Sequence, residues 1–205
     1  MSARVNIRQV QQEMSRPLRI MARPFIDNAV KTKMRFAKQD LMEKFFLHKV
    51  TRELNDGPTA DNISETIEGG GNLFSFIGFF ENESPTADLA ILLNDSVNLE
   101  ESPPIIRETK HQILYTYGVS TPSRREIDEN TKTHWGGRGW ALGIEDGTIT
   151  GIGQYLYHEF FSPKRSRSTT GVQIKMPGYS SGLIFRPIGY VLELLKKFKK
   201  RLKSA

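Results

Sequence analysis

An α+β fold, with an antiparallel sheet, a long N-terminal helix, short helices and a C-terminal amphipathic helix, is predicted by three observations. Apolar residues recur at helical spacing over 26–45 and again over 188–202, while aromatic and β-branched runs occupy 73–80 and 105–119. Between these segments, 17 glycines and 10 prolines in a chain of 205 residues supply turn signals throughout. A chain of this length buries roughly 70% of its unfolded surface, enough for one ordinary core. The expected organisation is an N-terminal arm at 1–23 and a single domain at 24–205.

Pro24 suits the first turn of a helix, and Ile26, Val30, Met34, Ala37, Leu41 and Phe45 follow at spacings of three or four. They make one apolar stripe, with Lys31, Lys33, Lys38 and Lys44 on the other faces. The helix is expected to end between His48 and the turn signal Asn55-Asp56-Gly57-Pro58. After a polar, glycine-rich loop, the apolar run Leu73 to Phe80 reads as a buried strand. Ser84-Pro85 then introduces a short helix over Ala87 to Leu93. Alternation and aromatics over Ile105 to Val119 predict a strand. Ser123-Arg124-Arg125-Glu126 has the form of a capping box, so a brief helix to about Glu129 follows.

From Trp135 to Gly153, Trp140 and Ile144 are spaced for a helix, yet the glycines and Glu145-Asp146-Gly147 favour strand-turn-strand. Tyr155 to Phe161 and Val172 to Met176 read as two strands joined by a long loop at 162–171. Lys164, Arg165 and Arg167 in that loop make it a candidate functional projection. The C-terminal helix places Ile188, Val191, Leu192, Leu195, Phe198 and Leu202 on one face. Its exposed face carries Lys196, Lys197, Lys199, Lys200, Arg201 and Lys203, cations that also suit a helix C-terminus.

Charge is segregated along the chain. The formal net charge is +6, but residues 1–54 hold 12 basic and 5 acidic side chains, 55–109 hold 1 and 11, and 110–205 hold 16 and 7. Basic ends around an acidic middle can attract when copies of the chain meet face to face. The same basic ends are also the electrostatic footprint of phosphate contact, so sequence-independent binding of nucleic acid is the alternative reading.

Catalytic signatures are missing from the sequence, and the chain is expected to be non-enzymatic, without cofactor or metal. There is no cysteine, hence no disulfide, thiolate ligand or cysteine nucleophile. His48, His111, His134 and His158 lack metal-ligand spacing. Gly151-Ile152-Gly153 is followed by Leu156 where a dinucleotide fingerprint needs glycine, and Gly136-Gly137-Arg138-Gly139 lacks the Lys-Ser/Thr of a P-loop. No serine lies in a nucleophile elbow. The longest apolar stretches fall well short of the about 20 residues of a membrane span, so no membrane partner is expected. The arginines from Arg4 to Arg23 have the look of a transit peptide but read better as a solvated helical arm.

Several stretches together resemble small virion proteins of tailed bacteriophages. They are the helix end Phe45-Phe46-Leu47-His48-Lys49-Val50-Thr51-Arg52-Glu53-Leu54, the run Gly71-Asn72-Leu73-Phe74-Ser75-Phe76-Ile77-Gly78-Phe79, Gly137-Arg138-Gly139-Trp140, and the Ser/Arg-rich loop through Gly171-Val172-Gln173-Ile174-Lys175. The similar proteins are head-to-tail connection proteins: neck, tail-completion or minor tail proteins. The resemblance implies an α+β subunit that assembles into a homo-oligomeric ring, commonly a hexamer, between portal and tail. It implies location in the virion, with host cytoplasm before assembly, and connector and tail proteins as neighbours. No catalytic site is implied. Lys164, Arg165, Arg167, Lys196, Lys197, Lys199, Lys200 and Arg201 are the expected interaction residues, and the three in the loop are expected to face a neighbouring acidic ring ahead of packaged DNA.

Overall fold

A computed structural model describes residues 7–67, 72–109, 113–133, 138–149 and 185–203. The expected strands at 155–161 and 172–176, and the 162–171 loop with Lys164, Arg165 and Arg167, lie outside the described residues. Within them the chain is a mixed α+β structure. Its helices are α1 (Ile7–Leu47), α2 (Lys49–Asn55), α3 (Leu73–Ile77), α4 (Ala87–Ser96), α5 (Arg124–Asn130), α6 (Trp140–Asp146) and α7 (Val191–Lys203). The strands are β1 (Asn98–Leu99), β2 (Ile105–Glu108), β3 (Ile113–Thr116) and β4 (Val119–Ser120).

Helix α1 has 41 residues, about 60 Å at 1.5 Å per residue. It begins 17 residues before the expected start at Pro24, so much of the segment read as an arm is helical and continuous with it. Pro17 and Pro24 sit inside the helix, each forgoing one backbone hydrogen bond. The apolar stripe is as read, but its burial is graded: Ile26 and Val30 are half-buried, Met34 is 6% exposed and Phe45 is fully buried. Among the described side chains, the core therefore grips α1 from about Met34 onward.

Three expected strands take other forms. Leu73–Ile77 is a helical turn because both of its ends are capped. The Asn72 side chain accepts from Ser75 N at 2.8 Å, and Gly78 adopts φ +86° to close the C-terminus. Ile105 to Val119 is not one strand but folds back on itself. β2 pairs antiparallel with β3 in the register Ile105↔Thr116 to Glu108↔Ile113, and β1 with β4 through Asn98↔Ser120 and Leu99↔Val119. These nested ladders join residues 98–109 and 113–120 into one β arm. The expected strand-turn-strand at 135–153 is, where described, helix α6, closed by Gly147 at φ +70°. The spacing of Trp140 and Ile144, both buried, was the informative signal there, since burial of a helical face outweighed the low propensity of glycine.

The core joins α1, α2, α3, α4, α5, α6 and α7. A chain of aromatic contacts crosses it: Phe45 stacks on Tyr190 at 5.9 Å, Tyr190 lies 6.2 Å from Trp140, Trp140 meets Phe79 edge-on at 5.8 Å, and Phe79 lies 5.4 Å from Phe74. Each such pair adds about 0.5–1.5 kcal/mol beyond burial of area. The Tyr190 hydroxyl, fully buried, shares a 2.8 Å hydrogen bond with Thr51 Oγ1. Buried Glu53 joins the segment after α2 to the start of α3 by accepting from Ser64 N at 2.8 Å and Leu73 N at 2.6 Å. Among the described residues, no helix is long and apolar enough to cross a membrane.

Candidate interaction surfaces

Helix α7 buries Val191, Leu194, Leu195 and Phe198, the i, i+3, i+4, i+7 pattern of one face. Its start is fixed by Glu145, whose Oε1 accepts from Tyr190 N at 2.8 Å and Leu192 N at 2.7 Å. A carboxylate there complements the helix dipole. Burial nevertheless raises the Glu145 carboxyl above its usual range, against the pull of those N–H donors.

The cations of α7 divide into two rows. Lys197 pairs with Glu193 at 2.6 Å, and Arg201 pairs with Asp40 of α1, which also holds Lys44 at 2.8 Å. The Arg201 guanidinium, with Lys44 beside it, holds the Asp40 carboxyl below the ordinary range. Next to this row, Lys33 Nζ donates to the Leu202 carbonyl at 2.9 Å. Lys197 and Arg201 thus serve the fold of the chain itself.

Lys196, Lys199, Lys200 and Lys203 form the second row, again at i, i+3, i+4 and i+7. Among the described residues no carboxylate lies within ion-pair distance of any of them. They flank a groove of about 720 Å³ whose other side is Thr121, Pro122, Ser123 and Arg124, with Leu192 and Leu195 contributing apolar surface. The Ser123 side of the groove is held rigidly by the expected capping box: Glu126 N donates to Ser123 Oγ at 3.2 Å and Ser123 N to Glu126 Oε2 at 2.7 Å. Hydrogen bonds to the carboxylate from the Ser123 side chain and from Ser123 N keep the Glu126 carboxyl below its usual range. Arg124 reaches Asp146 at 2.5 Å.

Helix α4 presents a complementary surface. Asp88, Ile91 and Asp95 share its outer face at i, i+3 and i+7, and all three are exposed, Ile91 by 59%. Asp95 Oδ1 accepts from Asn94 Nδ2 at 3.1 Å. Neither Asp88 nor Asp95 has a cation within ion-pair distance among the described residues. Glu100 and Glu101 are exposed just beyond the helix.

Apolar side chains are also left open on the two elements that leave the core. On α1, before the buried part of the stripe, Ile20 and Met21 are exposed and Phe25 is 78% exposed. On the β arm, Ile105 is 62% exposed, and Ile106 and Leu114 are exposed with it. Tyr117 Oη, at the base of the arm, donates to Asp27 of α1 at 2.5 Å. Desolvation and that bond push its phenol up to about 12.

Of the expected interaction residues, then, Lys196, Lys199 and Lys200 come together on one groove, while Lys197 and Arg201 point into intramolecular ion pairs. Arg124 and the α1 and β-arm apolar residues were missed by the sequence reading. Only the exposure of each face distinguishes them from core positions, and a misread strand hid the arm. Among the described residues no cluster of three His, Asp or Glu side chains could hold a metal ion. Comparison with protein-family models, with curated proteins and with solved structures gives no match in any of the three.

Proposed function

We propose that this chain is a non-catalytic structural subunit of a tailed-phage particle, forming a ring at the head-to-tail junction and joining portal to tail. The observation that carries the reading is the apolar surface left open on α1 and on the β arm. Ile20, Met21, Phe25, Ile105, Ile106 and Leu114 are large side chains on elements that extend away from the core. A monomer rarely leaves such surface uncovered, whereas a subunit completed by its neighbours does. The segregated charge supports the same reading, because a ring built head to tail brings two different faces of one chain together. The choice of particle and of position within it follows the resemblance of several short strings to head-to-tail connection proteins and is part of the proposal.

Depletion of the protein during phage growth tests this reading. The expected outcome is filled heads and complete tails that fail to join, seen by negative-stain microscopy, with rings formed by the purified protein. A normal yield of infectious particles without the protein would overturn the proposal. The row of Lys196, Lys199, Lys200 and Lys203 favours a second reading, sequence-independent binding of nucleic acid. That reading requires duplex or single-stranded DNA binding that is strongest at low salt.

A further inference from the structure

We infer that the basic groove between α7 and the 121–124 turn receives the outer face of α4 from a second copy of this chain. The inference rests on the ring reading and specifies its contact. Three features of the two surfaces match. Asp88 and Asp95 are seven residues apart, and so are Lys196 and Lys203. Seven residues are two helical turns, about 10.5 Å along the axis, so two helices laid side by side bring both carboxylates opposite both ends of the lysine row. Ile91 lies between the two aspartates on the same face, and Leu192, Leu195 and Pro122 give the groove apolar lining beside the lysine row. An acidic stripe with an apolar centre therefore meets a basic row with apolar lining beside it.

The charges on both sides want partners. Among the described residues, the four lysines of the row and the two aspartates of α4 have no opposite charge within ion-pair distance. Charge complementarity of this kind steers association and fixes register, and the Ile91 side chain supplies the apolar centre that such interfaces bury. The two patches differ, so the contact is heterologous: each subunit gives its α4 to one neighbour and its groove to the other. A heterologous contact propagates into a closed ring when its rotation closes. Nucleic acid fits the groove less well. Its apolar side chains, Leu192, Leu195 and Pro122, offer phosphate nothing, and its lining contains no aromatic ring on which a base could stack.

A charge exchange tests the contact by sedimentation of the purified full chain at low salt, with circular dichroism to check that each variant is folded. One variant carries Lys196→Glu, Lys199→Glu and Lys203→Glu; the other carries Asp88→Lys and Asp95→Lys. Each alone should self-associate on the order of a hundredfold more weakly, since like charges placed face to face cost several kcal/mol. An equimolar mixture should recover assembly, because every groove then finds an α4 of opposite sign. Folded single variants that assemble like the wild type would overturn the inference while leaving the ring reading intact, and so would a mixture that stays dissociated. A wild-type chain that remains monomeric would overturn both. If the groove variant assembles normally but loses binding to duplex DNA, the groove is a phosphate site and the α4 contact is wrong.

Discussion

His48 shows how one side chain at the junction of two helices makes stability depend on pH. It is the N-cap of α2: its Nδ1 accepts from Val50 N at 3.3 Å, which requires the unprotonated ring nitrogen, and the ring lies 4.9 Å from that of Tyr190. Desolvation holds the imidazole below its ordinary 6.5, against the opposing pull of the Gly189 carbonyl and Glu193. With the folded value lowered, the unfolded chain binds the proton more readily. The stabilisation is therefore present above the unfolded value and is lost as pH falls through and below it. Urea denaturation at about pH 7.5 and about pH 5.5 should show the wild type losing more stability on acidification than His48→Asn, which retains a good N-cap but does not titrate. Equal losses would assign the pH dependence to another group. The sequence marked the end of the first helix near His48 but not this cap, because Val50 N, Gly189 and Tyr190 meet the ring only in the folded chain. Glu53 is a similar case: its partners Ser64 N and Leu73 N are 11 and 20 residues away, beyond the reach of any local motif. By contrast, Ser123 and Glu126 form the capping box that their spacing announces, because that interaction is wholly local.

Elements were legible in proportion to their length and periodicity. Helices α1 and α7 repeat an apolar stripe over several turns, and both were read correctly in type. Leu73–Ile77 is a short apolar run, for which periodicity cannot separate a buried strand from a buried helical turn. What decides the matter is Asn72 and Gly78 at its two ends. Asn72 also donates to the carbonyls of Pro58 at 2.7 Å and Ala60 at 3.0 Å, so the cap is tied to the preceding loop. Gly78 N donates to the Phe74 carbonyl at 3.0 Å from a left-handed conformation that disfavours a β carbon. Gly78→Val should lower stability by roughly 2 kcal/mol, and Gly78→Asn by clearly less, because Asn tolerates that conformation. Denaturant midpoints of the two variants check this. Equal destabilisation would mean that bulk at this buried position matters, and that the backbone conformation does not.

At the scale of the whole molecule, burial along α1 is graded, and under the proposed ring the exposed stretch is where the helix would meet a neighbouring copy. The contacts of the core reach α1 from Met34 through Phe45, and the helix partners α7 and α4 pack on that portion through side chains such as Leu41 and through the Asp40–Arg201 pair. Before that portion the helix carries exposed Phe25, Met21 and Ile20, so the stretch from Ile20 to Phe25 adds little to the stability of the core. Removal of residues 1–23 should therefore leave the core intact, with a thermal midpoint shifted by less than about 3 °C, the change that about 1 kcal/mol produces in a domain of this size. Helicity should fall only by the turns deleted. The same truncation takes away Ile20 and Met21 and frees the end of the helix to fray before Phe25, so formation of rings should be impaired. Differential scanning calorimetry and sedimentation of the truncated and full chains measure the two properties separately. A collapse of thermal stability would place the start of α1 in the core of the subunit, and unchanged assembly would remove that helix from the contacts between copies, leaving the α4 face, the groove of α7 and the β arm to hold a ring together.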